Sequence, residues 1–268
     1  MESLFVSLLA GTAWPMETPR PYGFFHLALA GLGILLAILL ARILCPSPRG
    51  ALRISRFGSR PLRVLRICGL ILALSEIYKQ GFLYYIVNHG HYDWWYFPFQ
   101  LCSVPMYLAL LLPPEDGRGP AFVRQSFCTF IQDYGLLGGI MALAEPSGLM
   151  HPYWTLTLHG FFWHFILIFM GLYCSMGGLG GRSRERFLKS LPLFFLCCAI
   201  ATAINIFSRP YGNADMFYIN PYYPNGQIVF RQISLAIGSL GGNLLYLLSV
   251  ILGAAAVHWI LGRLGRRL

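Results

Sequence analysis

Charge is what this chain has least of. Its 268 residues include ten Asp and Glu, and charged side chains of both signs make up 11%, against roughly a quarter in soluble domains. With a mean hydropathy of +0.59, that scarcity excludes a water-soluble globular domain and points to an integral membrane protein. Cys-x-x-Cys pairs are missing too. Cys45, Cys68, Cys102, Cys128, Cys174, Cys197 and Cys198 fall mostly within apolar runs, which argues against a disulfide framework or a zinc site; no metal and no cofactor is expected. Nor is a cleavable signal peptide. The first apolar patch, Leu4 to Trp14, is short, lacks a basic flank and is followed by Pro15 and Pro21. Residues 1–21 read instead as an interfacial segment. With no internal repeat, low-complexity tract or second composition class, residues 1–268 form a single transmembrane helical domain.

What is present is apolar length punctuated by arginine. Stretches of about 20 mostly apolar residues predict an all-α, polytopic seven-transmembrane-helix bundle with spans at 23–45, 63–87, 97–113, 122–145, 152–176, 188–208 and 233–261. With the amino terminus outside, 16 of the 20 Lys and Arg fall on inner segments: Arg42 to Arg66, Arg118 and Arg124, Arg182 to Lys189, and Arg263 to Arg267. Only Arg20, Arg209 and Arg231 are left outside, with Lys79 inside a span, so the carboxyl terminus is placed in the cytoplasm. The net charge of +10 is thus a topology signal that also attracts anionic lipid, and nucleic acid is not an expected partner. The home is a bacterial inner membrane or a eukaryotic endomembrane; the sequence leaves the oligomeric state open.

Ionisable residues within spans are costly and are functional candidates by default. Glu76, Lys79 and Gln80 share one face of the second span, where the first two can neutralise each other; a purely structural ion pair is an equal alternative. The third span opens with Gln100, Cys102 and Ser103 between Pro98 and Pro105, and a proline inside a helix loosens the preceding turn. A helical rise of 1.5 Å per residue places Gln100, Cys102, His159, His164, Asn205 and Asn243 at similar depth in the outer half. His159 and His164 point about 140° apart, so one of them is structural. A cysteine beside a histidine is the minimal nucleophile and base, with Gln100 or an asparagine available to hold an oxyanion. Asp133 lines the cavity or packs a kink beside Gly135, Gly138 and Gly139, small residues that let helices approach closely. The loop from Asn213 through Asp215 to Pro221 is a lid, a headgroup contact or a turn-rich cap. His89, His91 and Asp93 read as a solvated loop with interfacial aromatics rather than a metal site.

Several of these stretches, taken in order, resemble one family. They are Pro98-Phe-Gln-Leu-Cys-Ser103, Glu76 in the preceding span, Tyr134-Gly-Leu-Leu-Gly-Gly-Ile-Met-Ala142, Phe161-Phe-Trp-His164 with Tyr173 nine residues on, and Ile204-Asn205 followed by Asn213-Ala-Asp-Met-Phe217. Together they resemble the YwaF-type integral membrane family that includes the transmembrane protein 164 acyltransferases. Gln100 stands where many relatives have a histidine. The resemblance implies Cys102 as the acyl-carrying nucleophile and His164 as its base, with phospholipid and lysophospholipid as substrates, in the animal members a lyso ether phosphatidylethanolamine. The expected activity is therefore transfer of a fatty acyl chain between phospholipids through a cysteine thioester. The rival expectation is a non-enzymatic lipid or small-molecule transporter built on Glu76 and Lys79.

Overall fold

The computed structural model describes residues 2–45, 61–114 and 120–267; the predicted inner arginines at 49, 53, 56, 60 and 118 lie outside them. The described residues form helices joined by turns and irregular segments, and their one strand-like feature is an isolated backbone pairing of Pro15 with Tyr153. Helix α1 (Glu2–Gly11) is followed by α2 (Phe24–Leu44), α3 (Pro61–Phe82), α4 (Val104–Leu110), α5 (Ala121–Phe130), α6 (Leu136–Ala144), α7 (Trp154–Met176), α8 (Arg184–Ser208), α9 (Ile228–Ile237) and α10 (Ser239–Arg267). A π turn at Leu83–Val87 prolongs α3, and another at Ile131–Gly135 fuses α5 and α6 into one rod.

Five of these elements are long and apolar enough to cross a membrane: α2, the α5–α6 rod, α7, α8 and α10. Their outward faces confirm the solvent. On α10, Leu240, Leu244, Leu248 and Leu252 recur every four residues and are each at least half exposed, a stripe that water would oppose and hydrocarbon accepts. This is an integral, multi-pass membrane protein. Between the helices, small residues replace the hydrophobic effect as the means of close approach. Ala30, Gly33, Ala37 and Ala41 form the buried face of α2, and the Phe165 ring of α7 lies directly on Gly33. A methyl group on Gly171 of α7 would stand 2.7 Å from Leu136 Cβ and 3.2 Å from the Gln132 carbonyl oxygen. Overpacking there is expected to cost about 1–3 kcal/mol, so Gly171→Val lowers the midpoint of thermal unfolding in detergent; an unchanged midpoint would mean that α6 and α7 are not in contact.

Two predicted spans differ from the structure. Residues 97–113 are not a continuous helix: 97–103 are irregular and only the seven residues of α4 are helical. Pro105 sits in the first turn of α4, where its missing N–H has no partner to lose; it starts the helix and does not loosen one. The predicted helix at 233–261 is likewise two pieces. Gly238, at φ +86°, breaks it, and the amphipathic α9 folds back so that Ser234 packs on Gly242. Lacking Cβ, glycine is the residue that makes such a reversal cheap.

The bundle has two chemically different ends. At one, the Arg66 guanidinium donates to the carbonyls of Leu112 and Pro113, both at 3.1 Å, and Arg124, Arg182 to Lys189 and Arg263 gather. At the other, residues 209–227 fold into the bundle, and residues 2–21 dock against α3 and α7, with Leu9 buried against Phe82 and Leu83 and Pro15 paired with Tyr153.

Candidate active site

Irregular backbone survives at membrane depth only where the protein satisfies its polar groups, and residues 97–103 meet that condition. Tyr107 Oη donates to the Pro98 carbonyl at 2.7 Å, Ser103 N–H to the Gln100 carbonyl at 2.8 Å, and the Trp163 indole N–H to the Cys102 carbonyl at 3.1 Å. Trp163 is a residue the sequence reading passed over, although it adjoins His164. Its bond ties the cysteine segment to α7, and the segment also lies against α6, where a methyl added to Gly138 would meet Cys102 Cβ at an ordinary 3.9 Å. Cys102 keeps partial exposure just ahead of buried Ser103 and Val104. Of the seven cysteines only Cys102 and Cys45 do so.

The charges that act on Cys102 are Lys79 and Glu76. As the spacing predicts, they pair: Lys79 Nζ lies 2.7 Å from Glu76 Oε1, Gln80 Nε2 donates to the same oxygen at 2.7 Å and also to the Tyr96 carbonyl at 2.6 Å. Lys79 is equally the cation that acts on His159 and His164. Lys79 of this pair therefore bears on the cysteine segment and on both histidines of α7. His164 Nδ1 faces the Gly160 carbonyl at 2.6 Å; since a carbonyl only accepts, Nδ1 carries the proton and Nε2 keeps the lone pair. Among the described residues Nε2 has no protein partner. No hydrogen bond joins the Cys102 thiol directly to His164, whose Nδ1 is taken by the Gly160 carbonyl. His159 lies tilted against Trp163 with ring centres 5.6 Å apart, and its Nε2 is buried without a partner.

The remaining predicted residues divide in two. Gln100, Asn205, Asp215 and Asn243 form a second network that seats the 209–227 loop. Gln100 Nε2 donates to the Asp215 carbonyl and its Oε1 accepts from Phe217 N–H, both at 2.9 Å. Asn205 does the same for Met216, at 3.0 and 2.6 Å. Asp215 Oδ1 accepts from Asn220 N–H, and Asn243 Nδ2 donates to the Asn220 carbonyl, each at 3.0 Å. Gln100 and Asn205 thus have both ends of their amides bonded to backbone and seat the loop, while each amide nitrogen keeps a second N–H. Asn213 is exposed and offers only its carbonyl, to Tyr223. The loop is held under strain: Phe217 and Tyr218 have φ of +59° and +56°, conformations that non-glycine residues keep only when their surroundings impose them. Phe217 in turn stacks on Phe99, 5.9 Å between ring centres, beside the cysteine segment.

Asp133 belongs elsewhere. It sits in the π turn, fully buried, with Oδ2 2.8 Å from His258 Nδ1 and Oδ1 accepting from Gln132 at 3.0 Å, while His258 Nε2 faces the Ser183 carbonyl at 3.1 Å. That pair lies at the arginine end, away from Cys102. His258 had no signal beyond being an ionisable residue in the last span. In the 89–93 loop, Asp93 caps a helical turn by accepting from Trp95 N–H at 3.0 Å, a structural task.

A model of the TMEM164 family matches residues 21–261, nearly the whole chain. The chain belongs to the TMEM164 family. No curated protein and no solved structure matches it. Within this family member the matched region takes in the cysteine segment, the Glu76 and Lys79 pair, α7 and the strained loop, so every element of the site described above falls inside it.

Burial pushes the Asp215 carboxyl from 3.8 up to about 6. A raised carboxylate pKa means that the folded loop holds a proton which the unfolded chain has released, so stability falls as pH rises from about 4 to about 6. Limited proteolysis of the 209–227 loop is expected to be slower at pH 5 than at pH 7, and Asp215→Asn to flatten that dependence; a flat profile in the unaltered protein would contradict it.

Proposed function

We propose that this TMEM164-family protein is a membrane-embedded acyltransferase that moves a fatty acyl chain between phospholipids through a thioester on Cys102. The observation that carries the reading is that Lys79, paired with Glu76, bears both on Cys102, a residue that is not fully buried, and on His164, whose Nε2 keeps a free lone pair. In the proposed cycle His164 Nε2 takes the thiol proton and the thiolate attacks the ester carbonyl of a donor phospholipid. The acyl–oxygen bond breaks, and the proton on His164 passes to the departing lysophospholipid. A lysophospholipid acceptor then gives its hydroxyl proton to His164, attacks the thioester and frees the thiolate. Since the thiol and His164 are not hydrogen-bonded in the resting structure, donor binding has to bring them together.

An apolar groove of about 270 Å³ supports an acyl substrate. It runs between α2, α3 and α7, and is lined by Leu36, Leu40, Ile71, Phe162, Phe165 and Phe169, two of which flank His164 in sequence. The irregular segment 97–103 with α4, and the charged helix α3, complete seven crossings with the amino terminus outside and the carboxyl terminus in the cytoplasm in this reading.

Purified protein in liposomes should move labelled acyl chains from phospholipid to added lysophospholipid. Absence of transfer with every headgroup offered would discard the reading. The buried Glu76 and Lys79 pair favours the transporter as the second reading, and the two separate cleanly: for a transporter, alkylation of Cys102 leaves lipid movement unchanged and Glu76→Gln abolishes it. On the acyltransferase reading, Glu76→Gln leaves Lys79 uncompensated in a buried site, and loss of such a partner costs about 3–5 kcal/mol. Thermal unfolding should therefore shift along with activity.

A further inference from the structure

The far end of the bundle holds a second cavity that the proposed chemistry does not use. It measures about 480 Å³ and lies between the start of α8 and the end of α10, lined by Arg182, Arg184, Arg263 and His258 together with Trp259 and Leu188. That volume is within the range of about 300–1,000 Å³ found for small-molecule sites. Among the described residues no carboxylate lines it; Asp133 is bonded behind His258 and Glu185 pairs with Lys189 on the surface of α8. The arginines are arranged as well as gathered. The Arg263 guanidinium lies 4.1 Å from the centre of the Trp259 ring, a stacking that fixes its plane while leaving its N–H groups available at the edge. His258 is held between Asp133 and the Ser183 carbonyl, so the floor of the cavity is rigid. Gly262 brings α10 within 3.4 Å of the Arg182 carbonyl oxygen, measured from an added methyl position, and keeps the cavity open.

We infer that this cavity binds the phosphate of an anionic phospholipid headgroup. Arginine forks match phosphate oxygens in pairs, and basic pockets between helices at the positively charged face of a membrane protein select anionic lipids. A lipid is favoured over a free anion because one wall is apolar and open to the bilayer side: Leu188 and Trp259 are 46% and 57% exposed, and tryptophan settles at headgroup depth. Arg184 and Asn205 are near opposite ends of α8, about 30 Å apart at the helical rise. The site is therefore separate from Cys102 and stands whether or not acyl transfer does.

The test is native mass spectrometry of the full chain released from nanodiscs of phosphatidylcholine mixed with phosphatidylglycerol. Selective retention of phosphatidylglycerol is expected, reduced roughly tenfold or more in the Arg184→Gln, Arg263→Gln double variant, which removes two charge-assisted contacts. Gly262→Leu, which fills the cavity and keeps every charge, should reduce it as well, with thermal unfolding showing both variants folded. Equal retention of the two lipids, retention unchanged in both variants, or displacement of the lipid by millimolar inorganic phosphate would overturn the assignment.

Discussion

Cys102→Ala is expected to reduce acyl transfer by at least about a thousandfold, because a nucleophile that carries the transferred group has no substitute in the site. The remaining cysteines give no rescue. Cys68, Cys128, Cys174, Cys197 and Cys198 are buried, and Cys45 lies at the end of α2, at the arginine end of the bundle. Folding should be nearly indifferent to the change, since the segment is held through the Cys102 carbonyl and not through its sulfur. His164→Gln is the matching variant. It should impair both half-reactions and leave the intact thiol open to alkylation, so a normal alkylation rate with lost transfer separates the base from the nucleophile. Retained transfer in Cys102→Ala would discard the mechanism, whatever the fate of the lipid-binding arginines.

Asn205→Leu should have the largest effect on stability. Leucine keeps the volume but strands the Met216 N–H and carbonyl in a buried site, at about 1–3 kcal/mol for each orphaned group. The positive φ values of Phe217 and Tyr218 then lose part of what imposes them, and such conformations revert when their support weakens. Unfolding in detergent should shift down by several kcal/mol, and transfer should fall with it, because the same loop holds Gln100 two residues from Cys102. Asn213→Ala, on the exposed rim of that loop, should stay within about 0.5 kcal/mol. Equal effects of the two substitutions would show that the loop is a loose surface segment.

Much of this arrangement could be read in advance, for reasons that are local. Glu76, Lys79 and Gln80 share a helix face by spacing alone, and they do form one bonded cluster. The small residues at 135–139 announced close packing, and Gly139 would place a methyl 3.1 Å from the His164 carbonyl oxygen. Hydropathy failed where a proline or glycine decided the backbone. Residues 97–113 are apolar enough to look like one helix, yet Pro105 is a helix starter, and the chain before it is stabilised by Trp163 and Tyr107, partners that hydropathy does not see. Gly238 similarly ends α9. Depth bookkeeping gathered Gln100, Asn205 and Asn243, but it did not show that they seat the 209–227 loop, because an amide's partners are tertiary facts. The Asp133 and His258 pair spans 125 residues, and no local pattern links them.

The central claim is a covalent one, and mass spectrometry of the acid-quenched protein after brief exposure to a donor phospholipid tests it most directly. The peptide containing Cys102 should carry the mass of the donor's acyl chain, and neutral hydroxylamine or added lysophospholipid should remove it. A Cys102 peptide that stays unmodified while transfer proceeds would contradict the account.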